Sequence, residues 1–307
     1  MEIKTSSLSE DQTLPLVVEP ADDGLTLESL LEWVATKQQW IDEQLQEFGG
    51  ILLRGFPVAD EQTFHRLASR ISPDLVRYLD GNSPRTRLHD AVYTSTEYPA
   101  RLRITLHSEM SYAANPPQRL FFCCLVAPEK DGETPIVDCR KILGKLNPEV
   151  VDRFARLGVS YVKNMHGRQS GIGKSWQAHF ETQDREVAEE HLRSADIEYE
   201  WRDDGSLWTR RLRPALREHP VTGESVWHNQ ADLWHISNNP ASTQVQLLKH
   251  FGEERLPINA YYGDGSTISA VDLDHVREMM WREASVFPWQ VGDLLILDNY
   301  LVAHGRM

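Results

Sequence analysis

The chain has 307 residues, 40% of them hydrophobic, which is enough for a substantial core in one large domain or two ordinary ones. Its 32 Lys and Arg against 46 Asp and Glu give a net charge of -14, which disfavours nucleic acid and anionic membranes as partners. The first twenty residues do not resemble a secretory signal, no later stretch reads as a membrane span, and an odd cysteine count (Cys123, Cys124, Cys139) fits a reducing compartment. We therefore expect a soluble cytoplasmic protein.

Helix caps, apolar spacing and strand alternation predict a mixture of helices and strands. The predicted helices run from Thr26 to Gly49-Gly50, from Asp60 to about Ile71, from Asp138, from Asn147-Pro148 to Gly158, and over residues 270–284. The predicted strands are ILLRGF after Gly50, Leu102 to Glu109, Arg119 to Val126, Gly158 to Lys163, Val286 to Trp289 and Asp293 to Leu297. Because helices and strands do not alternate regularly, the pattern favours an α+β fold with an antiparallel sheet or barrel. Without an internal repeat or linker, residues 1–307 are predicted to form one domain.

The segment RLRITLHSEMSY carries the first candidate functional residues. On a predicted strand, alternation sends its leucines and isoleucine to one face and His107 and Glu109 to the other. The two polar side chains would then project side by side, with backbones roughly 7 Å apart. An imidazole and a carboxylate at this separation can bind one metal ion, and one further histidine would complete the ligand set of oxygen-activating iron(II).

A second copy of the same spacing, His179-Phe180-Glu181, serves as an internal comparison. It precedes DREVAEEHLRS, a helical segment that Thr182 or Asp184 would cap, so the two side chains would point to different sides. We interpret this copy as a polar entry to a helix.

The third ligand has to come from a remote strand. The segment WQVGDLLILDNYLVAHGRM contains an apolar, buried strand, and His304 follows it shortly after. Most other histidines are expected to be surface or satisfied core residues. His228 and His235 are kept as possible pocket residues because they adjoin Trp227 and Trp234.

Sequence blocks spread over nearly the whole chain resemble one known family. The blocks are GGILLRGF, GNSPR at 81–85, VYTSTEYPA at 92–100, LHSEMSY at 106–112, LFFCC at 120–124, GETPIVD at 132–138, VWHNQ at 226–230, and FPWQVGDLLILDN running into AHGR. They resemble the clavaminate synthase-like and taurine dioxygenase superfamily of iron(II)- and 2-oxoglutarate-dependent oxygenases. Within it they are most similar to the branch of the syringomycin-pathway aspartyl β-hydroxylase and related plant clavaminate synthase-like proteins. Several blocks in one order are more specific than any single triplet.

The resemblance implies a distorted double-stranded β-helix (jelly roll) with flanking helices, in which His107, Glu109 and His304 are the catalytic iron ligands. It also implies that Thr134, the Thr of the GETP block, contacts a carboxylate of the cosubstrate 2-oxoglutarate; on pattern alone Thr134 would be a turn residue before a strand. The implied reaction couples dioxygen and the decarboxylation of 2-oxoglutarate to hydroxylation of an unactivated C–H bond. Glu109 disfavours halogenation, since related halogenases have a small residue at that position.

The end of the sequence departs from the family pattern. Family members continue past the distal His-Gly-Arg into a final strand, whose Arg pairs with 2-oxoglutarate through a bidentate contact. The sequence ends at Met307, and Arg306 matches the residue directly after the distal His-Gly rather than that later Arg. We expect that the final strand is lacking through truncation or disorder; the alternative is weak binding of the cosubstrate.

The substrate is expected to be an amino acid or a molecule like it. The candidate substrate-binding residues, in blocks that this branch places near its active site, are Arg85, Tyr112, Asn229 and Asp232. Their cationic, anionic and amide groups would suit a ligand with both charges, although each could be an ordinary loop residue. The resemblance implies hydroxylation of an amino acid in a biosynthetic pathway, either free or tethered to a peptidyl carrier protein.

Three alternatives remain open at this point. Desaturation or cyclisation would use the same cofactors and differ only in how the substrate radical collapses. Histidine and carboxylate ligands also hold catalytic zinc, so a metallohydrolase is a second alternative. A non-catalytic jelly-roll binding protein is the third.

Overall fold

The computed structural model describes residues 1–22, 24–75, 85–89, 91–97, 99, 102–167 and 172–307. Its helices are α1 (Leu27–Thr36), α2 (Gln38–Phe48), α3 (Glu61–Ile71), α4 (Cys139–Lys145), α5 (Pro148–Leu157), α6 (Trp176–Phe180), α7 (Arg185–Ser194), α8 (Ala231–Trp234), α9 (Ala241–Phe251) and α10 (Ala270–Glu283). Its strands are β1 (Ile3–Ser6), β2 (Leu16–Pro20), β3 (Gly50–Leu53), β4 (Arg87–His89), β5 (Val92–Tyr93), β6 (Ile104–His107), β7 (Arg119–Cys123), β8 (Ile136–Asp138), β9 (Val159–Met165), β10 (Glu198–Trp201), β11 (Leu207–Arg213), β12 (Leu216–Glu218), β13 (Ser225–Trp227), β14 (Ile258–Tyr262), β15 (Leu294–Asp298) and β16 (Val302–Arg306). None of the helices in these ranges is long and apolar enough to cross a membrane.

The predicted helix starts are confirmed at their capping residues. Thr26 forms a capping box with Ser29 at the start of α1, and the Asp60 carboxylate accepts a hydrogen bond from the Thr63 N–H at the start of α3. The run predicted as one helix after Thr26 is divided into α1 and α2 at Lys37, where the Gln38 side chain donates to the Val34 carbonyl. The same Gln38 amide also donates to the Arg70 carbonyl at 2.9 Å, a contact across 32 positions that a short stretch of sequence does not reveal, unlike the two caps.

The described strands form antiparallel sheets, with one parallel pair between β2 and β3. The largest sheet has the order β1-β2-β3-β15-β7, and a second has the order β10-β11-β9-β14. A three-stranded sheet, β6-β16-β8, carries the candidate site. Helices and antiparallel sheets together confirm the α+β class, although the sheets of the described residues do not close into a barrel.

Strand β15 lies between two hydrophobic clusters and explains the apolar run LLIL. Leu295 and Leu297 pack into the cluster that includes the helices α4, α5 and α10, whereas Leu294 and Ile296 pack into the cluster with α1, α2 and α3. Successive side chains of a strand point to opposite faces, so a strand that is covered on both sides is apolar at every position. All four residues are fully buried.

One predicted strand is wrong. Residues Val286 to Trp289 form no strand; only Ser285, just before them, pairs with Ile136. Pro288 lacks the N–H that a strand would use, and its carbonyl instead accepts a hydrogen bond from Arg54.

Candidate metal centre

The candidate site begins where β6 and β16 lie side by side. The two strands are antiparallel with His304 opposite His107, and the ring centroids of the two imidazoles are 4.6 Å apart. Gly305 makes this approach possible, because a Cβ atom on it would lie 2.6 Å from the Ile104 carbonyl oxygen. A glycine therefore allows the two histidine-bearing strands to come together.

Glu109 does not lie on the strand that the sequence predicts for residues 102–109. Strand β6 ends at His107, and Glu109 follows in a turn in which Met110 has a φ of 53°. The Asn299 side chain accepts from the Glu109 N–H at 2.7 Å and donates to the Glu109 carbonyl at 2.9 Å. Gln230 Nε2 donates to the Ser108 carbonyl at 2.6 Å. Side-chain amides thus take the place of a neighbouring strand, which is why the strand ends early.

The three predicted ligands nevertheless converge. One ligand atom from each of His107, Glu109 and His304 lies within 4.8 Å of the others, and all three residues are buried. The His304 Nε2 to Glu109 Oε2 distance is 3.8 Å. In the described parts of the chain this is the one cluster of three or more His, Cys, Asp or Glu side chains with such spacing.

Burial keeps both imidazoles neutral. Desolvation lowers the pKa of His107, and it holds the pKa of His304 well below its usual 6.5, with His107 as a second cause. The His107 Nδ1 lies 2.8 Å from the Thr105 carbonyl, so Nδ1 carries the proton and Nε2 presents a lone pair. Neutral imidazoles are the form that binds metal ions.

These residues fit an iron(II) ion. Two neutral histidines and one carboxylate are the ligand set of non-haem iron oxygenases, and they leave coordination positions for other ligands. His107 also has the carbonyl partner that commonly orients a metal-binding ring. The Nδ1 of His304 is buried and has no hydrogen-bond partner, an unfavourable state for an imidazole that serves only to fill the core.

Arg85 lies against the carboxylate of the cluster. Its Nη2 is 3.0 Å from Glu109 Oε2, and Arg85 is 19% and Glu109 7% exposed in their side chains. Arg85 is the described residue of the GNSPR block; residues 81–84 lie outside the described residues. The structure therefore brings one predicted substrate-binding residue to the predicted metal ligands.

Thr134 lies on the face of the sheet that carries His304. Strand β8 pairs Ile136 with His304, and two further hydrogen bonds, from Gly305 to Pro135 and from Met307 to Glu133, extend this ladder. If this register is continued, Thr134 lies opposite Arg306. Because Thr134 is two residues from Ile136, the partner of His304, its side chain lies on the same face as that of His304. The Thr134 hydroxyl also accepts a hydrogen bond from Trp289 Nε1 at 3.1 Å.

The other predicted substrate residues lie in the buried core. Tyr112 packs edge-on against Tyr161 and Trp234, and the Asn229 side chain bonds to the Ala215 carbonyl and the Ala231 N–H. Asp232 is 1% exposed, neither of its carboxylate oxygens has a hydrogen-bond partner, and burial raises its pKa to about 6. As substrate contacts, Tyr112, Asn229 and Asp232 stay predictions.

The remaining histidines of interest are separate from the metal ligands. His228 stacks on Tyr300 with ring centroids 4.9 Å apart, and His235 Nδ1 accepts the Ser237 N–H. As pocket residues both stay predictions. His179 lies in the short helix α6, and Glu181 caps the C-terminal end of that helix with a φ of 53°. The copy is therefore at the end of α6 and not, as the sequence suggested, at the entry to α7, which begins after Asp184.

Arg306 has a structural partner of its own. Its guanidinium donates to the backbone carbonyls of Thr96, Pro99 and Leu102, which come before β6 in the chain. These contacts agree with the sequence match, in which Arg306 is not the Arg that pairs with the cosubstrate.

Sequence reasoning missed the residues that support the ligands. Asn299, Gln230 and Trp289 contact Glu109, Ser108 and Thr134, respectively. All three stand in blocks that carry the family resemblance, FPWQVGDLLILDN and VWHNQ. Their position in those blocks was the available signal, but only the folded chain shows what their side chains contact.

Comparisons with a family model, with individual proteins and with solved structures all lead to dioxygenases or to proteins that resemble them. The model of the family described as taurine catabolism dioxygenase TauD, TfdA family matches residues 10–307. The dapdiamide synthesis protein DdaC of Enterobacter agglomerans is 38% identical over 266 residues, which cover 87% of this chain and 80% of that protein. A clavaminate synthase-like protein of Arabidopsis thaliana is 28% identical over 313 residues, covering 97% and 90%. Among solved structures, PvcB of Pseudomonas aeruginosa has a similar fold, with a TM-score of 0.56, 17% identity, and coverage of 99% and 85%.

Proposed function

The chain belongs to the TauD/TfdA dioxygenase family, and we propose that it hydroxylates an amino acid with an iron ion bound by His107, Glu109 and His304. It is an oxidoreductase that depends on iron(II), 2-oxoglutarate and dioxygen, as the family resemblance implied. The zinc hydrolase and the non-catalytic binding protein lose their support. The observation that carries the metal site is the convergence of three buried donor groups from two strands and a turn.

The residues of the site would bind the metal ion and the cosubstrate in separate roles. When bound, iron and 2-oxoglutarate supply the oxidising power for cleavage of an unactivated C–H bond. His107 and His304 would hold the metal as neutral donors, and Glu109 would add the negative charge. Thr134 would donate its hydroxyl proton to a carboxylate of the cosubstrate. The burial of all three ligands would limit the access of water to the site.

The substrate class rests on charge and on one relative. The name of DdaC places that protein in the synthesis of dapdiamide, and we carry a biosynthetic role over to this chain. Arg85, beside the metal ligands, would pair with the carboxylate of a small amino-acid-like substrate. Asp232, buried without a hydrogen-bond partner, is the matching candidate for an ammonium group, with Tyr112 and Asn229 shaping the wall. A peptidyl carrier protein would be the partner if the amino acid is tethered.

The proposed architecture is the distorted double-stranded β-helix of this family, within a single domain over residues 1–307. The sheet β6-β16-β8 and the sheet containing β15 and β7 would form its two sides. In support, Phe122 of β7 packs against the His304 ring, with centroids 5.0 Å apart. This contact joins one sheet to the metal-binding residues of the other.

Incubation with iron(II), 2-oxoglutarate and oxygen tests the function. The substrates are a panel of free amino acids and the same amino acids loaded on a carrier protein. We expect mass spectrometry to detect a product one oxygen atom heavier, formed in step with succinate. H304A should abolish the product because it removes a ligand, whereas H250A, at an exposed histidine, should not. Succinate without any oxidised amino acid would contradict the substrate class; a product two hydrogens lighter would indicate desaturation or cyclisation.

A further inference from the structure

Trp289 and Thr134 form a hydrogen bond whose direction is fixed by chemistry. The indole N–H can only donate, so at 3.1 Å the Thr134 oxygen must accept. The hydroxyl proton is then turned away from Trp289. Within the described residues this hydroxyl has no second hydrogen bond, so its proton is available to an acceptor outside the protein.

The indole is held in place from several sides. Its ring packs edge-on against the buried Phe287, with centroids 5.3 Å apart. The preceding Pro288 carbonyl accepts from Arg54, and the following Gln290 N–H donates to Asp293, the residue that also forms an ion pair with Arg54. These contacts fix the backbone on both sides of Trp289, so its N–H has little freedom to turn to another acceptor.

The position of Thr134 relative to His304 indicates which group could accept its hydroxyl proton. Thr134 shares a face of the β8 and β16 ladder with His304, which puts its hydroxyl about two strand residues, or roughly 7 Å along the strand, from that ligand. A cosubstrate that chelates a metal ion with one end would extend about this far with its other carboxylate. A carboxylate accepts hydrogen bonds only, so a hydroxyl there must offer its proton.

We propose that Trp289 is a positioning residue that directs the Thr134 hydroxyl proton toward a carboxylate of 2-oxoglutarate. The inference rests on the proposed role of Thr134 in binding that cosubstrate. Trp289 acts through Thr134 and contributes the orientation of its hydroxyl. Without the indole N–H, no hydrogen bond would fix the rotation of the hydroxyl, and part of its hydrogen bond to the carboxylate would be lost.

A double-mutant cycle tests this proposal by equilibrium binding. The full chain is loaded with Mn(II), and titration calorimetry measures the Kd of 2-oxoglutarate and of its unreactive analogue N-oxalylglycine. T134V should weaken binding roughly tenfold, the effect of one hydrogen bond to a charged group. W289F keeps a ring against Phe287, removes the N–H, and should weaken binding about threefold to tenfold. T134S should bind nearly as wild type does.

The coupling between the two positions decides the outcome. The double variant should bind about as weakly as T134V, because Trp289 has no hydroxyl left to orient. Additive effects, or an unchanged Kd in W289F, would overturn the role of Trp289 while leaving that of Thr134 intact. An unchanged Kd in T134V would overturn the proposed cosubstrate contact itself. The Kd for Mn(II) should stay within twofold in all variants; should W289F not fold, W289L, which also lacks a donor, takes its place.

Discussion

At the scale of single residues, Asn299 connects the two chain segments that carry the proposed ligands. It stands five residues before His304, and its amide bonds to the backbone of Glu109 from both sides and to the Pro117 carbonyl at 2.8 Å. Asn299 is fully buried. A side chain with these contacts sets where Glu109 lies relative to His304, so we infer a positioning role for it.

Replacement of Asn299 by Asp should therefore weaken metal binding. Aspartate can still accept from the Glu109 N–H, but it cannot donate to the two carbonyls and places a negative charge beside them. We expect N299D to bind Co(II) at least tenfold more weakly and with an altered visible absorption spectrum. The loss of folding stability should be about 2–4 kcal/mol, as for other buried groups left unpaired.

Asn164 offers a matched control. Its amide also donates to two backbone carbonyls, of Leu256 at 2.7 Å and Glu254 at 3.2 Å, on the strand β9. N164D should lower the melting temperature without changing the Co(II) affinity or spectrum. If N299D, with a native circular dichroism spectrum, bound Co(II) as tightly as wild type, Asn299 would be a structural residue only.

At the scale of elements, the pairing of β6 with β16 determines the distance between the two imidazoles. The register is irregular between His304 and Arg306, and Gly305 lies between them. A Cβ atom on Gly305 would lie 2.6 Å from the Ile104 oxygen and 3.2 Å from the Leu106 nitrogen, both backbone atoms that cannot rotate away. Any side chain at this position must push the strands apart.

We expect G305A to separate His304 from His107 and to reduce metal binding more than stability. A shift of about half an ångström changes the distance between the metal-binding atoms of His107 and His304, so the affinity for Co(II) should fall by about tenfold or more. Equilibrium titration with Co(II) measures this. G144A is the control, because a Cβ atom on Gly144 in α4 meets no atom within 4 Å. It should leave metal binding unchanged and raise stability by up to about 1 kcal/mol; equal metal affinity in both variants would argue against the proposed role of Gly305.

The elements that could be predicted from sequence are those whose signals are local. The caps Thr26 and Asp60 bond to residues three positions away, and the apolar run of β15 is continuous, so each can be read from a short stretch. The end of β6 at His107 depends on Asn299, 192 positions further along, and no local pattern carries that information. The same holds for the site. The spacing of His107 and Glu109 can be read from the sequence, whereas the side-chain amides that hold the backbone of Ser108 and Glu109 cannot.

At the scale of the whole molecule, buried ionisable groups link stability to pH. Burial lowers the pKa of His228 to about 3, with the Arg217 charge as the second cause, and it lowers the pKa of His235 to about 4. In the unfolded chain both have the ordinary value of 6.5. As the pH falls through 6.5, the unfolded chain binds protons that the folded chain does not, so stability decreases. Asp232 has the opposite effect on stability. Its pKa is about 6 in the folded chain and 3.8 in the unfolded chain, so below pH 6 the folded chain binds the proton first and stability increases.

Burial also lowers the pKa of His107 and His304, so in the metal-free protein four histidines oppose one aspartate, and stability should fall on mild acidification. His228 allows the contribution of one histidine to be tested alone. H228F keeps an aromatic ring to stack on Tyr300 but cannot titrate. Between pH 7 and pH 5 the unfolded-state protonation of one such histidine is worth about 2 kcal/mol, and H228F should lose that much less stability than wild type over this range. Urea unfolding of the metal-free protein at both pH values measures the difference. H250F, at an exposed histidine, is the control and should follow wild type. An equal loss of stability in H228F and wild type would mean that His228 takes up its proton without unfolding, and the pH dependence would then have to come from other groups.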